Sequence, residues 1–216
     1  MSEEDWAAAR AARLRGDHAT EARIYRRLAE RGDPGAQDKL GVLYERGLGV
    51  PRSYVEAVKW YRLAAERGAP DAQNNLGVMY EMGRGVPADP AEAVKWYSLA
   101  AAQGDINAQH NLGNMYESGH GVAQDYTEAV AWFRNAAERG HPMAQANLGV
   151  MYEFGHGVPQ DLVRAHMWFS LSVAGFPASE AKNRGIATRN RDEIAARMTP
   201  AQLAEAHRLL RAWRPR

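Results

Sequence analysis

The chain has 216 residues, 45% hydrophobic and 25% charged, an ordinary balance for a folded globular protein. It contains no cysteine, which excludes disulfides, thiolate catalysis and cysteine-ligated metals. It also has no apolar run of about 18 residues, which excludes a membrane-spanning helix.

The net charge of +1 is unevenly spread: residues 1–181 carry 18 basic and 23 acidic side chains, and residues 182–216 carry 9 and 3. The opening MSEEDWAAAR is acidic where a secretion signal would be basic, and no apolar segment comes after it. A cytoplasmic protein is expected, or a periplasmic one if a leader has been removed.

In chain order, residues 4–32 predict a short hairpin of helices, EDWAAARAARLR and ATEARIYRRLAE, joined through Gly16-Asp17. Its Tyr25 and Gly32 stand 36 positions before Tyr61 and Gly68, so it reads as a degenerate copy of the unit that begins at residue 33. Four full copies of that unit come next, at 33–68, 69–104, 105–140 and 141–176. Gly41, Gly77, Gly113 and Gly149 are 36 apart, each preceded by leucine and followed three residues later by tyrosine. Trp60, Trp96, Trp132 and Trp168 repeat in phase with them, each followed by Tyr or Phe. A fixed period of this length is the signature of a repeat array.

Within the second copy, Ala72, Leu76, Met79 and Tyr80 fall at i, i+4, i+7 and i+8, predicting an amphipathic helix A that ends at Gly83. Ser53, Asp89, Asp125 and Asp161 are N-caps for helix B, and Glu56, Glu92 and Glu128 are placed to complete capping boxes; Arg164 breaks that pattern in the fourth copy. Helix B is expected to bury Ala93, Val94, Trp96, Tyr97 and Ala100. Pro34, Pro70 and Pro142 open the helices A. Residues 177–216 predict a polar helix carrying Asn183-Arg184 in place of Leu-Gly. A last helix completes the chain, capped by Thr199 and burying Leu203, Ala206, Leu210 and Trp213.

A single hairpin of this kind cannot bury its apolar face, but stacked copies can. The expected fold is all-α: one right-handed α-solenoid domain over 1–216, with degenerate caps at both ends. The unit AQNNLGVMYEMGRGVPADPAEAVKWYSLAAAQG resembles the Sel-one-like repeat, a relative of the tetratricopeptide repeat. The frame A-x-x-x-L-G-x-x-Y-x-x-G-x-G-V, the W-Y/F pair and the closing A-A-x-x-G match column by column over about two thirds of the chain. This resemblance implies a protein–protein interaction scaffold. Secreted bacterial members of that family pin their hairpins with cysteines, and this chain has none.

Little in the sequence suggests chemistry. The GLG, GRG and GHG loops come after helices rather than strands, which makes them structural loops and not phosphate cradles. His120 and His156 occupy equivalent loop positions, on the order of 10 Å apart in stacked helices, too far to share one zinc. His110 and His141 have no evident partner. A non-enzymatic adaptor is expected, monomeric, with no cofactor, small-molecule substrate or membrane contact. Two alternatives are the basic segment RLLRAWRPR touching nucleic acid and a metal-dependent enzyme using the surface histidines.

At about 100° per residue, Ala36, Leu40 and Leu43 face the core, and positions 38, 42, 45 and 46 point away, toward the concave wall that helix A is expected to line. The candidate partner-binding residues are Asp38, Val42 and Glu45; Asn74, Val78, Glu81 and Met82; His110, Asn114 and Glu117; and Val150, Glu153 and Phe154. Asn75, Asn111 and Asn147 flank them. These asparagines can bond a ligand backbone or bridge adjacent repeats. The glutamates sit in the last turn of each helix A, where the macrodipole disfavours negative charge. They serve either the packing of the repeats or a partner with basic residues interleaved among apolar ones.

Overall fold

The computed structural model describes residues 3–215. These form twelve α-helices and one short 3-10 turn, with no strand among the described residues. They divide into two compact units, one running to Asp105 and one starting at Ile106. Each is an α-solenoid, a stack of helical hairpins.

The first unit holds α1 (Glu3–Leu14) and α2 (His18–Glu30), then the hairpins α3 (Pro34–Arg46) with α4 (Tyr54–Ala65) and α5 (Pro70–Met82) with α6 (Pro90–Ala102); each helix packs on the next. The second unit pairs α7 (Ile106–Ser118) with α8 (Tyr126–Glu138) and α9 (Pro142–Phe154) with α10 (Leu162–Gly175). After a 3-10 turn (Ala178–Glu180), α11 (Ala181–Ala195) and α12 (Pro200–Ala212) both pack on α10; in α11 the Leu-Gly columns fall on Arg184 and Gly185, one residue later than Asn183-Arg184, and both are exposed.

The helix ends obey the sequence signals, with one correction. Ser53, Asp89, Asp125 and Asp161 accept N-terminal backbone N–H groups of α4, α6, α8 and α10. The capping boxes do not close on the glutamate side. The backbone N–H groups of Ser53, Asp89 and Asp125 already donate to the carbonyls of Tyr44, Tyr80 and Tyr116, each at 2.9 Å. Glu56 and Glu92 therefore have no donor to serve and pair instead with Lys59 and Lys95. The one reciprocal box among the described residues is Thr199 with Gln202, at the start of α12.

Hairpin packing is set by the glycine column. A Cβ added to Gly41, Gly77, Gly113 or Gly149 would lie 2.6, 2.7, 2.5 or 2.8 Å from the ring of Tyr61, Tyr97, Phe133 or Phe169. Those four rings are fully buried, whereas Trp60, Trp96 and Trp132 beside them are only half-buried. The deepest aromatic of helix B is thus the residue after the tryptophan, because that is the one facing the glycine. The loop glycines Gly85 and Gly157 lie against backbone, where a Cβ would meet Tyr54 or Tyr126 at 2.4 or 2.3 Å. Each loop rests on the start of the preceding helix B, as a structural loop should.

Seams between neighbouring repeats carry regular polar bonds. Gln37, Gln73 and Gln145, all buried, donate to the carbonyls of Ala29, Ala65 and Ala137, each at 3.1 Å. These carbonyls end the preceding helix B, where the helix leaves acceptors unsatisfied. Arg26, Arg62 and Arg134 donate to the hydroxyls of Tyr44, Tyr80 and Tyr152 at 2.7, 2.8 and 3.2 Å.

Candidate partner-binding face

The helix-A residues singled out in the sequence divide into those spent on the frame and those left on the surface. In the first unit Asp38 is 2% exposed, so it does not point away from the core as the single-helix projection required. Its carboxylate accepts from Asn75 Nδ2 at 2.8 Å and from Lys39 Nζ at 2.9 Å. Asn74 is also buried. The flank of helix A that meets the next repeat is an interior, which a projection of one isolated helix cannot reveal. In the second unit Asn147 Nδ2 donates to Asn114 Oδ1 at 2.9 Å, again across a seam. Asn111 is half-buried.

The glutamate column has three different environments. Glu45 and Glu81 accept from the hydroxyls of Tyr61 and Tyr97 at 2.7 and 2.6 Å. The tyrosine hydroxyl is what offsets the unfavourable helix end. Burial first, then the bond to the glutamate, pushes both phenol pKa values well above the usual range. In the second unit Phe133 and Phe169 take the tyrosine places and the donor is lost. Glu153 pairs instead with Arg197 at 2.6 Å. Glu117 forms no ion pair or side-chain hydrogen bond among the described residues, and desolvation raises its pKa, partly offset by His156. Two glutamates that pointed to a basic partner are thus engaged by tyrosines, and a third by an arginine.

Two large apolar side chains are left exposed at helix-A ends, in the column that holds the exposed Arg46 and Ser118 in the other repeats. Met82 is 54% exposed at the end of α5, and Phe154 is 60% exposed at the end of α9, its ring stacked 5.8 Å from His156. Val78 and Val150 are half-buried on the same two helices, as is Val42 on α3. Between α9 and α11 lies a cleft of about 170 Å³ lined by Val150, Phe176 and Ile186 among others.

The histidines have partners that the sequence did not reveal. His110 and His141 stack with ring centroids 4.7 Å apart. His141 Nδ1 also accepts from Ala144 N, capping α9. Burial, and then His141, hold His110 down to about 4; burial lowers His141 as well. His166 is buried edge-on to His207 at 5.6 Å, and its Nδ1 finds no partner among the described residues. No group of three or more acidic or histidine side chains suited to a metal occurs among the described residues. In α12, Arg208 pairs with Glu205, while Leu209, Leu210 and Trp213 pack on the core. Among the described residues no helix is long and apolar enough to cross a membrane.

The Sel1 repeat family model matches residues 34–68, 70–105, 106–141 and 142–174. The fold is similar to that of a Sel1 repeat protein from Oxalobacter formigenes, at 29% identity and a TM-score of 0.75 over 89% of this chain and 83% of that one. A protective antigen of uropathogenic Escherichia coli with an SLR fold aligns at 30% identity and a TM-score of 0.56. There the alignment takes in 90% of this chain but only 48% of the antigen. An immunity protein from Pseudomonas aeruginosa, at 20% identity and a TM-score of 0.57 over 90% of this chain and 83% of that one, shares the fold alone. No curated protein matches the chain significantly. Four matched copies, the glycine-to-ring packing they impose and the seams between them show that the chain belongs to the Sel1 repeat family.

Proposed function

We propose that the chain is a non-enzymatic interaction scaffold that holds a peptide or protein partner along the groove lined by helices A. Sel1 repeat proteins are typically protein–protein interaction scaffolds, which sets the class. The observation that carries the finer reading is the exposure of two large apolar side chains at helix-A ends, Met82 on α5 of the first unit and Phe154 on α9 of the second. Large flexible or aromatic side chains beside half-buried valines are the kind of anchor that supplies most of the affinity at protein interfaces. Most of the glutamates are accounted for within the chain, so apolar contact is the main source of affinity in this reading.

Photocrosslinkers at positions 78 and 150, compared with positions on helices B and on α1, test it. A partner trapped from the helix-A positions and lost on Met82→Ser with Phe154→Ser, at unchanged melting temperature, supports the groove. A partner trapped only at α1 or the helices B refutes it.

A further inference from the structure

In the glutamate column of helices A, the third member has lost its donor without gaining another. In the first unit Glu45 and Glu81 accept from the hydroxyls of Tyr61 and Tyr97 at 2.7 and 2.6 Å. In the second unit phenylalanine stands at both equivalent positions, Phe133 and Phe169, and the hydroxyl is gone. Glu153 meets the loss with the guanidinium of Arg197, at 2.6 Å. Glu117 has no such donor among the described residues. It is half-buried in the last turn of α7, where the macrodipole disfavours its charge. Burial raises its pKa, and His156 lies near enough to offset part of the rise.

The surface beside Glu117 is a short ladder of rings. Gln124 Nε2 donates to the Glu117 carbonyl at 2.7 Å and to the Tyr126 hydroxyl at 3.1 Å, tying the end of α7 to the start of α8. His156 stacks on Tyr126 with centroids 4.7 Å apart, and Phe154 on His156 at 5.8 Å. Phe154 is largely exposed, so the ladder opens to solvent. The equivalent ring of the first unit carries a guanidinium. Tyr54 and Arg84 stand two repeats before Tyr126 and His156, and Arg84 lies over the Tyr54 ring, 5.6 Å from its centroid. At this one place the second unit therefore lacks both the hydroxyl and the arginine, and keeps the carboxylate and the ring.

We infer that Glu117 and this ladder receive an arginine side chain of another protein. Its guanidinium bonds the Glu117 carboxylate as Arg197 bonds Glu153, and its plane lies along the rings as Arg84 lies on Tyr54. Both contacts suit arginine over lysine, since a planar fork stacks on rings and offers a carboxylate two N–H groups. A carboxylate held without a donor breaks a local rule that the other three repeats keep, and such breaks mark functional positions. This inference rests on the proposal that helices A bind a partner: apolar contact supplies affinity, and the arginine fixes the register of the partner.

The probes are short capped peptides with a central Leu-Arg, Leu-citrulline or Leu-Lys in a Gly/Ser background, titrated against the full chain by amide NMR. Leu-Arg should shift the amides of residues 116–126 and 154–157. It should bind about tenfold more tightly than Leu-citrulline, which keeps the plane and loses the charge, the size expected from one charge-assisted hydrogen bond. Leu-Lys should also bind more weakly than Leu-Arg. Glu117→Gln should bring Leu-Arg down to the level of Leu-citrulline, at a melting temperature no lower than that of the wild type. Glu193→Gln, the same change of charge at an exposed position of α11, should leave the preference intact. Leu-citrulline or Leu-Lys binding as tightly as Leu-Arg, no peptide binding, or a preference that survives Glu117→Gln or disappears in Glu193→Gln overturns the inference. So does a concentration-dependent dimer in sedimentation that Glu117→Gln abolishes, since an arginine of a second copy then fills the site. If crosslinkers at 78 and 150 trap a partner equally well from wild-type and Glu117→Gln protein, the arginine assignment fails while the scaffold reading stands. If they trap none from the wild type, both fail.

Discussion

Replacing Gly113 by alanine sets two opposed effects of known size against each other. An alanine inside a helix is better than glycine by about 0.5–1 kcal/mol, through backbone entropy. Against this, the new Cβ lands 2.5 Å from Cδ1 and Cε1 of Phe133. Comfortable carbon–carbon contact is about 3.5–4.0 Å, so the overlap is about 1 Å. Phe133 is fully buried among the core side chains of the second unit, so its ring can move only by displacing them. Overpacking of this kind costs about 1–3 kcal/mol. The net expectation is a loss of about 1–2 kcal/mol, or roughly 2–8 °C in Tm for a chain of this length. Gly185 in α11 is the control from the same unit, since nothing lies within 4 Å of a Cβ there. Gly185→Ala should therefore gain the helix term alone, about 0.5–1 kcal/mol. Far-UV circular dichroism melts and guanidinium titrations of the two variants read the contrast. Adding Phe133→Leu to Gly113→Ala should recover part of the loss non-additively, as directly contacting residues do. If Gly113→Ala melts at or above the wild type, as Gly185→Ala should, the glycine column is not there for close approach and the packing argument is wrong.

The glutamate column should respond to neutralisation with opposite signs. Glu81→Gln weakens a charge-assisted acceptor of the Tyr97 hydroxyl and should cost about 1 kcal/mol at neutral pH. Glu117→Gln removes a carboxylate that is desolvated without a hydrogen bond in return and should raise Tm; melts in which both variants shift the same way would refute this account. The stacked histidines should make the second unit sensitive to acid. With His110 held down to about 4, the unfolded chain takes up the proton first. The stability tied to the neutral ring is complete above about pH 6.5 and is lost as pH falls through about 4, up to about 3 kcal/mol. His110→Asn should flatten the Tm–pH profile over that window, and a profile as steep as that of the wild type would contradict it. Gln73→Leu should lower Tm by stranding the Ala65 carbonyl in a buried seam, a loss of about 1–3 kcal/mol in guanidinium titration.

The repeat register, the caps at Ser53, Asp89, Asp125 and Asp161 and the glycine column were readable from spacing, because each depends on residues close in sequence or fixed in phase. The seams were not. Gln37, Gln73, Gln109 and Gln145 keep perfect register, yet a glutamine near a helix start reads as a solvated residue until the end of the preceding helix B is laid beside it. Asp38 was placed outward for the same reason, since a helical projection has two sides and knows nothing of neighbours. The hydroxyls that serve Glu45 and Glu81 lie 16 residues away, on the other helix of the hairpin. A signal was present in the change from Tyr61 and Tyr97 to Phe133 and Phe169, because it removes one oxygen from an otherwise constant column. His110 and His141 stand at different positions of their repeats, so no column could have paired them.

The seam bonds have a further consequence for length. The glutamine-to-carbonyl bonds span 8 residues at each of their three occurrences, and the arginine-to-tyrosine bonds span 18. Donor and acceptor are thus dealt out at constant offsets, like letters in a reading frame. Excising or duplicating 36 residues brings each of these glutamines back opposite a helix-B carbonyl wherever the cut falls, and each arginine opposite a tyrosine unless the cut brings in Ser98, which stands in the arginine column. A change of 35 or 37 within a helix turns that helix by about 100° and puts its seam groups out of reach of their partners. Genes for such a chain can therefore gain and lose whole repeats by recombination between near-identical stretches, and selection acts on the phase of the cut far more than on its position.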